Sequence, residues 1–156
     1  MDEVLKSRAV VEYKPGAHHW LLWSFRLVLA ITFVWAGVVK FVDPAGFAGS
    51  LAAFKMFHEA WINVVALGLP PFEILAGLLV LTRRGLEVGS FSLVVTSTAF
   101  LIALLSGLAR GLPVDCGCFG GTGPSTPLKV WIAVARDAVL IGMAGWVYWR
   151  SHSIVE

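Results

Sequence analysis

The sequence predicts an all-α membrane protein: a polytopic four-helix bundle with a short interfacial helix after the first transmembrane helix. Hydrophobic residues make up 58% of the 156-residue chain and charged residues only 14%, whereas about a quarter of a soluble domain is charged. A soluble fold of this size would leave much apolar surface in water, so lipid is the expected solvent. The net charge of +2 is small and not clustered, and therefore does not indicate a nucleic-acid partner.

Four apolar segments are long enough to cross a bilayer, which takes about 20 helical residues. They lie at about residues 20–42, 60–82, 86–109 and 128–149. The first is too long for a signal-peptide core and has no small-residue cleavage site after it, so it is predicted to be a retained anchor. One transmembrane domain, residues 20–150, is therefore expected between an N-terminal cytoplasmic segment, residues 1–19, and a C-terminal tail, residues 151–156.

A short amphipathic stretch, residues 44–59, separates the first two spans. Its large apolar side chains recur at helical spacing, which is typical of a helix that lies at the interface or caps a bundle. These residues are Phe47, Leu51, Phe54 and Phe57.

The basic residues near the span ends predict the orientation. If both termini lie on one side, that side holds Lys6, Arg8, Lys14, Arg83, Arg84 and Arg150, and the other side holds Lys40, Lys55, Arg110 and Lys129. Positive residues favour the cytoplasm. Both termini are therefore expected in the cytoplasm of a bacterium, with residues 110–127 on the periplasmic or extracellular side of the inner membrane.

This outward loop holds both cysteines of the chain, Cys116 and Cys118, with Gly117 between them. A Cys-Gly-Cys disulfide closes a very small, strained ring, and strained disulfides are the labile or catalytic ones. As a purely structural cross-link, this disulfide would remove little entropy from the unfolded chain and would therefore stabilise the fold little. The pattern therefore favours a redox-active pair. Arg110 and Lys40 are expected to favour a thiolate there, and the adjacent Asp115 to oppose it.

A metal site is the alternative for the same two cysteines. Two thiolates suit Cu(I) or another soft ion, whereas a closed zinc site requires two further ligands. His58 is the one histidine expected on the outer side. A small transporter or soft-metal-handling protein that captures its ion at Cys116 and Cys118 thus remains open, as does a scaffold subunit whose cysteines are incidental.

Ionisable residues within the spans predict buried pairs, since such residues usually face the bundle interior. Glu73 and Arg136 both lie near mid-span and are predicted to pair. Asp137 points about 100° away from Arg136 on the helix, so its expected partner is Arg26. Lys40 is either a snorkelling anchor or a functional group. Both a purely structural role and a role in redox or proton chemistry stay open for these charges.

Residues 24–145 resemble the MauE family of methylamine-utilisation membrane proteins, within the broader DoxX-like group of four-helix membrane proteins. The resemblance depends on a set of positions spread over the spans and the cysteine loop. They are Ala36-Gly37, Lys40, Asp43-Pro44, Phe47, Pro70, Glu73, Gly77, Arg110-Gly111, the run from Asp115 through Phe119 to Gly120, and Arg136-Asp137. Asp137 departs from the pattern, in which asparagine is more usual.

The resemblance implies a role in forming or maintaining disulfides in exported proteins, beside a periplasmic thioredoxin-like protein or a client with thiols. It also implies a disulfide-rich dehydrogenase subunit as client in methylamine utilisation, and a membrane quinone as a possible electron carrier. The chain is then a component of a thiol–disulfide oxidoreductase. Cys116 and Cys118 are the expected reactive residues, and the expected supporting residues are Asp115, Phe119, Lys40, Arg110, Glu73 and Arg136.

Overall fold

The computed structural model describes residues 17–56, 58–112 and 127–155. These residues form five helices: α1 Ala17–Val42, α2 Pro44–Ala53, α3 Glu59–Leu81, α4 Leu86–Ala109 and α5 Pro127–Val155. Four stretches within them are long and apolar enough to cross a membrane: Trp20–Val42, Glu59–Leu81, Leu86–Ala109 and Leu128–Ser151. No strand occurs among the described residues. The predicted all-α fold with four long apolar helices is confirmed.

The last helix is longer than the sequence suggested. α5 continues to Val155, past the predicted end at residue 149 and through most of the expected C-terminal tail. Hydropathy marks only the apolar part of a helix, and no proline or glycine follows Gly145 to stop this one. α4, by contrast, has the bounds that the sequence predicted.

The short helix α2 begins and ends for local reasons. Asp43 is its N-cap and accepts a 2.9 Å hydrogen bond from the backbone N–H of Gly46, while Pro44 occupies the first turn. The helix ends at Ala53, and Lys55 then adopts a left-handed conformation with φ of 50°, which a helix cannot continue through. The predicted stretch 44–59 is therefore only partly helical.

α2 lies against the rest of the bundle through its apolar side chains. Phe47 and Leu51 are buried against Ile62 and Ala66 of α3, and Phe54, just past the helix end, packs on Leu104 of α4. Phe57 lies outside the described residues. The contacts favour the capping interpretation of the amphipathic stretch, because its apolar face covers α3 and α4.

The bundle core combines all four long helices, and large apolar side chains also cover the outside. The core residues are Leu29, Phe33, Ala76, Val80, Leu93, Leu140, Ala144 and Val147. On the surface, Trp35 is 60% exposed and Leu75 is also 60% exposed. A surface with so many apolar side chains fits a lipid environment rather than water.

Arg26 of α1 caps the end of α3. Its Nε donates to the carbonyl of Val80 at 2.8 Å and its Nη2 to the carbonyl of Leu81 at 2.7 Å, and its guanidinium lies 4.5 Å from the ring centroid of Trp23. The last carbonyls of a helix have no partner within the helix. The expected Arg26–Asp137 pair is therefore wrong, because the Arg26 guanidinium is held at the carboxyl end of α3.

Replacing Arg26 by leucine is expected to lower the free energy of unfolding by about 2–3 kcal/mol, because one buried and one partly buried carbonyl lose a charged donor. Arg84→Leu, in the exposed turn between α3 and α4, is the matched control and should stay within about 0.5 kcal/mol of wild type. Equilibrium unfolding of the purified protein in mixed micelles measures both. Equal stabilities for the two variants would show that the cap contributes nothing.

Candidate functional site

A buried ion pair joins α1 to α3 in the interior of the bundle. Lys40, in the last turn of α1, places its Nζ 2.7 Å from both Oε1 and Oε2 of Glu73. Both side chains are 1% exposed. The predicted Glu73–Arg136 pair is therefore wrong, and so is the snorkelling interpretation of Lys40. Sequence position alone does not reveal that α1 and α3 pack closely enough here for lysine to reach the carboxylate.

Two aromatic rings close over the ammonium group of Lys40. Its Nζ lies 4.4 Å from the ring centroid of Phe100 on α4 and 5.4 Å from that of Phe47 on α2. Such rings attract a cation through their quadrupole, most strongly where water is excluded. Phe47, one of the residues on which the resemblance depends, thus places the short helix α2 over the ion pair.

A second ion pair lies within α5. Arg136 donates from Nε at 2.9 Å and from Nη2 at 2.7 Å to Oδ1 of its neighbour Asp137. The Asp137 side chain is 5% exposed and that of Arg136 is 27% exposed. The expectation that Asp137 pairs with a residue other than Arg136 is wrong, because the long arginine side chain bends round the helix to its neighbour although their Cβ atoms point apart.

The two pairs meet at a small cavity of about 30 Å³. The polar residues that line it are Thr32, Lys40, Glu73, Ser97, Arg136 and Asp137. The last five are called the polar cluster, and every long helix contributes to it. Two cations and two carboxylates give the cluster a formal charge of zero. Such an arrangement can hold the helices in register, bind a small hydrogen-bonding molecule, or move a proton between its groups.

Ser97 is a member of the polar cluster that sequence reasoning missed. It lies between Thr96 and Thr98, whose hydroxyls return to carbonyls of their own helix at 2.9 Å and 2.7 Å. The Ser97 hydroxyl has no partner among the described residues. A run of three hydroxyl residues in an apolar span was the available signal, since such groups often hydrogen-bond across membrane helices.

Arg110 fixes the point where the chain leaves α4 for the cysteine loop. Its Nη2 donates to the carbonyl of Phe54, at the end of α2, and to Oγ of Ser106 at 2.9 Å. Gly111 follows with φ of 64°, a left-handed conformation that glycine adopts at little energetic expense. The Arg110-Gly111 motif therefore forms a helix end tied to α2.

The predicted reactive residues Cys116 and Cys118, and their neighbours Asp115 and Phe119, lie outside the described residues. Their redox role and the alternative metal site both stay predictions. Within residues 17–56, 58–112 and 127–155, no group of three or more His, Cys, Asp or Glu side chains lies close enough together to hold a metal ion.

Comparison with known proteins gives two matches. The family model described as "Methylamine utilisation protein MauE" matches residues 18–150. The curated "Methylamine utilization protein MauE" of Paracoccus denitrificans is 33% identical over 128 residues, which cover 80% of this chain and 66% of the relative. The match thus spans slightly less than two thirds of the relative's length. No solved structure matches the chain.

Proposed function

The chain belongs to the MauE family, and we propose that this multi-pass membrane protein is a thiol–disulfide redox component that supports disulfide formation in exported proteins. Cys116 and Cys118 exchange electrons with a thioredoxin-like protein, or with a client that carries thiols, on the periplasmic side. The relative's name places that protein in methylamine utilisation. We extend the same process to this chain, with an exported, disulfide-bonded protein as the client.

The single observation that carries the proposal is a Cys-Gly-Cys sequence between two membrane helices. α4 ends at Ala109 and α5 begins at Pro127, so the intervening chain connects two spans on one side of the bundle. The short connection between α3 and α4, with Arg83 and Arg84, lies at the other end. The positive-inside rule supports a cytoplasmic position for this arginine pair and a periplasmic position for the cysteines.

The proposed exchange moves two electrons through a mixed disulfide. A thiolate of the reduced partner attacks the Cys116–Cys118 disulfide, whose S–S bond breaks as an intermolecular S–S bond forms. The partner's second thiolate then attacks that bond. The partner leaves as a disulfide, and the Cys116/Cys118 pair is left reduced with the two electrons. A membrane quinone is the proposed acceptor that restores the oxidised pair, becoming a quinol by taking up the two electrons and two protons.

Single replacements test the exchange. Cys116→Ser and Cys118→Ser are each expected to abolish disulfide formation in the client, and the remaining cysteine should trap the partner as a mixed disulfide. The trapped species is identified by nonreducing electrophoresis and mass spectrometry of membranes quenched with a thiol-blocking reagent. Ser125→Ala, in the same loop, is the matched control and should leave client disulfides unchanged.

Two other results would point elsewhere. Normal client disulfides in the Cys116→Ser/Cys118→Ser double variant would rule out the redox role and favour a scaffold subunit. Stoichiometric soft metal in anaerobically purified protein, lost with either single replacement, would instead favour ion capture at the two thiolates.

A further inference from the structure

Two buried polar atoms near the middle of the bundle have no hydrogen-bond partner among the described residues. They are Oγ of Ser97 and Oδ2 of Asp137. The two residues are only 3% and 4% exposed, and both line the 30 Å³ cavity of the polar cluster. The other carboxylate oxygen of Asp137, Oδ1, accepts both hydrogen bonds from Arg136. Both unpartnered atoms therefore belong to residues that line the same small cavity.

An unsatisfied buried polar atom costs about 1–3 kcal/mol, and more when the group is charged. A cavity needs roughly 10–15 Å³ of space, and at least two polar partners, to hold a water molecule. The observed space is larger than that and offers the serine hydroxyl and the free carboxylate oxygen. One water that donated to Oδ2 of Asp137 and hydrogen-bonded with Ser97 would satisfy both groups.

We propose that this cavity is a buried proton-exchange site formed by Asp137, Ser97 and a bound water. A proton that reaches the water is passed to Oδ2 of Asp137, where a new O–H bond forms. Oδ1 keeps its bonds to Arg136, and the water is left neutral. The reverse transfer returns the proton, and no electrons move. This site goes beyond the proposed thiol chemistry and does not depend on the cysteines.

The charged groups that face Asp137 come from three helices. Arg136 is its neighbour on α5, Lys40 projects from α1 and Glu73 from α3, while α4 contributes the neutral Ser97. The two cations attract the Asp137 carboxylate and Glu73 repels it. Because these charges balance, one added proton changes the net charge of the cluster from zero to +1. Movement of another charge near the cluster can therefore favour either uptake or release of this proton.

Infrared spectroscopy of the protein in lipid nanodiscs tests the site. On acidification, wild type is expected to gain a protonated-carboxyl band that Asp137→Asn lacks and that shifts in D2O. Ser97→Ala should move this band, because the hydrogen bond at the water is lost. Ser90→Ala is the matched control, since the Ser90 hydroxyl is already bonded to the Leu86 carbonyl at 2.6 Å, and it should leave the band in place.

The proposal fails if folded wild-type protein shows no Asp137-dependent band at any pH, or if the band does not respond to D2O. If Asp137→Asn does not fold, the comparison of Ser97→Ala with Ser90→Ala decides: a shift in the first alone supports the site, and equal spectra overturn it. The Cys116→Ser/Cys118→Ser variant should keep the band, so failure of the thiol proposal and failure of this one are distinguishable.

Radiolytic footprinting tests the bound water separately. Hydroxyl radicals formed at an internal water are expected to modify Phe100 and Leu140, which line the cavity, and to spare Leu93, which is 0% exposed in the apolar core. If Phe100 and Leu140 are modified no more than Leu93, the cavity is dry and the proposal is overturned.

Discussion

Lys40→Met is expected to destabilise the bundle by about 3–5 kcal/mol, because it leaves the Glu73 carboxylate buried without its counter-ion. Both oxygens of Glu73 accept from the same ammonium group at 2.7 Å, and both side chains are almost fully buried. Removing the lysine therefore removes all of the carboxylate's observed charge compensation. The free energy of unfolding in mixed micelles, measured reversibly against the fraction of denaturing detergent, gives the size of the loss.

The double variant Lys40→Met/Glu73→Met distinguishes the contribution of the ion pair to stability from the penalty of leaving one buried charge without its partner. Replacing both charges with apolar side chains of similar size is often neutral or stabilising in other proteins, so the double variant should recover most of the stability that Lys40→Met loses. Lys129→Met, at an exposed position in the first turn of α5, is the matched control and should change stability by less than about 0.5 kcal/mol. A Lys40→Met protein as stable as the control would show that Glu73 is compensated by other groups.

The recovered double variant also separates structure from chemistry. If the Lys40–Glu73 pair only fixes how α1 and α3 assemble, a stable double variant should retain client disulfide formation. If the charges take part in moving protons or electrons, the same variant should be stable and inactive. A buried ion pair is weak evidence that the pair stabilises a protein. The functional role is therefore decided by comparing the stability of the double variant with its ability to support client disulfide formation.

The helices were predictable because each depends on a local property of the sequence. A run of about 20 apolar residues is enough to define a span, and Asp43-Pro44 is enough to define where α2 begins. The MauE resemblance was likewise visible without knowledge of which helices touch, because it depends on which residue types occur in which order along the chain, and the family match confirms it.

The partners of the buried charges could not be predicted because they depend on the rotation and relative height of separate helices. Counted along α1 alone, Lys40 lies near a membrane boundary, yet Phe47 of α2 and Phe100 of α4 cover it. Arg136 reaches the neighbouring Asp137 because a flexible side chain is not bound to the direction of its Cβ. Pattern arguments give the direction of Cβ atoms, whereas ion pairs are decided by the far ends of long side chains.

The close packing of α1 on α3 that makes the Lys40–Glu73 pair possible depends on Gly37. A Cβ atom at Gly37 would lie 2.9 Å from the carbonyl oxygen of Pro70 and 2.7 Å from Cγ1 of Ile74. Both distances are shorter than van der Waals contact, and the carbonyl belongs to the backbone, so the helices must move apart. Gly37→Ala is therefore expected to lower the free energy of unfolding by about 1–3 kcal/mol, as overpacking does in tightly packed cores.

Gly68→Ala on α3 is the matched control, because nothing lies within 4 Å of a Cβ atom at that position. Alanine is the better helix former by roughly 0.5–1 kcal/mol, so this variant should be as stable as wild type or slightly more stable. A loss of stability in Gly37→Ala together with a gain in Gly68→Ala would identify the close contact between α1 and α3 as the cause of the loss. Stability of Gly37→Ala equal to that of Gly68→Ala would contradict it.

The two predictions are coupled through geometry, which gives a sharper test than either alone. Lys40 lies three residues after Gly37 and so on the same face of α1. A methyl group at position 37 should therefore lengthen the 2.7 Å ion pair as well as crowd Pro70. In the Lys40→Met/Glu73→Met background there is no ion pair to lengthen, so Gly37→Ala should be less destabilising there by about 0.5 kcal/mol or more. The same loss in both backgrounds would mean that the ion pair tolerates the displacement, and that helix packing and charge pairing are independent in this bundle.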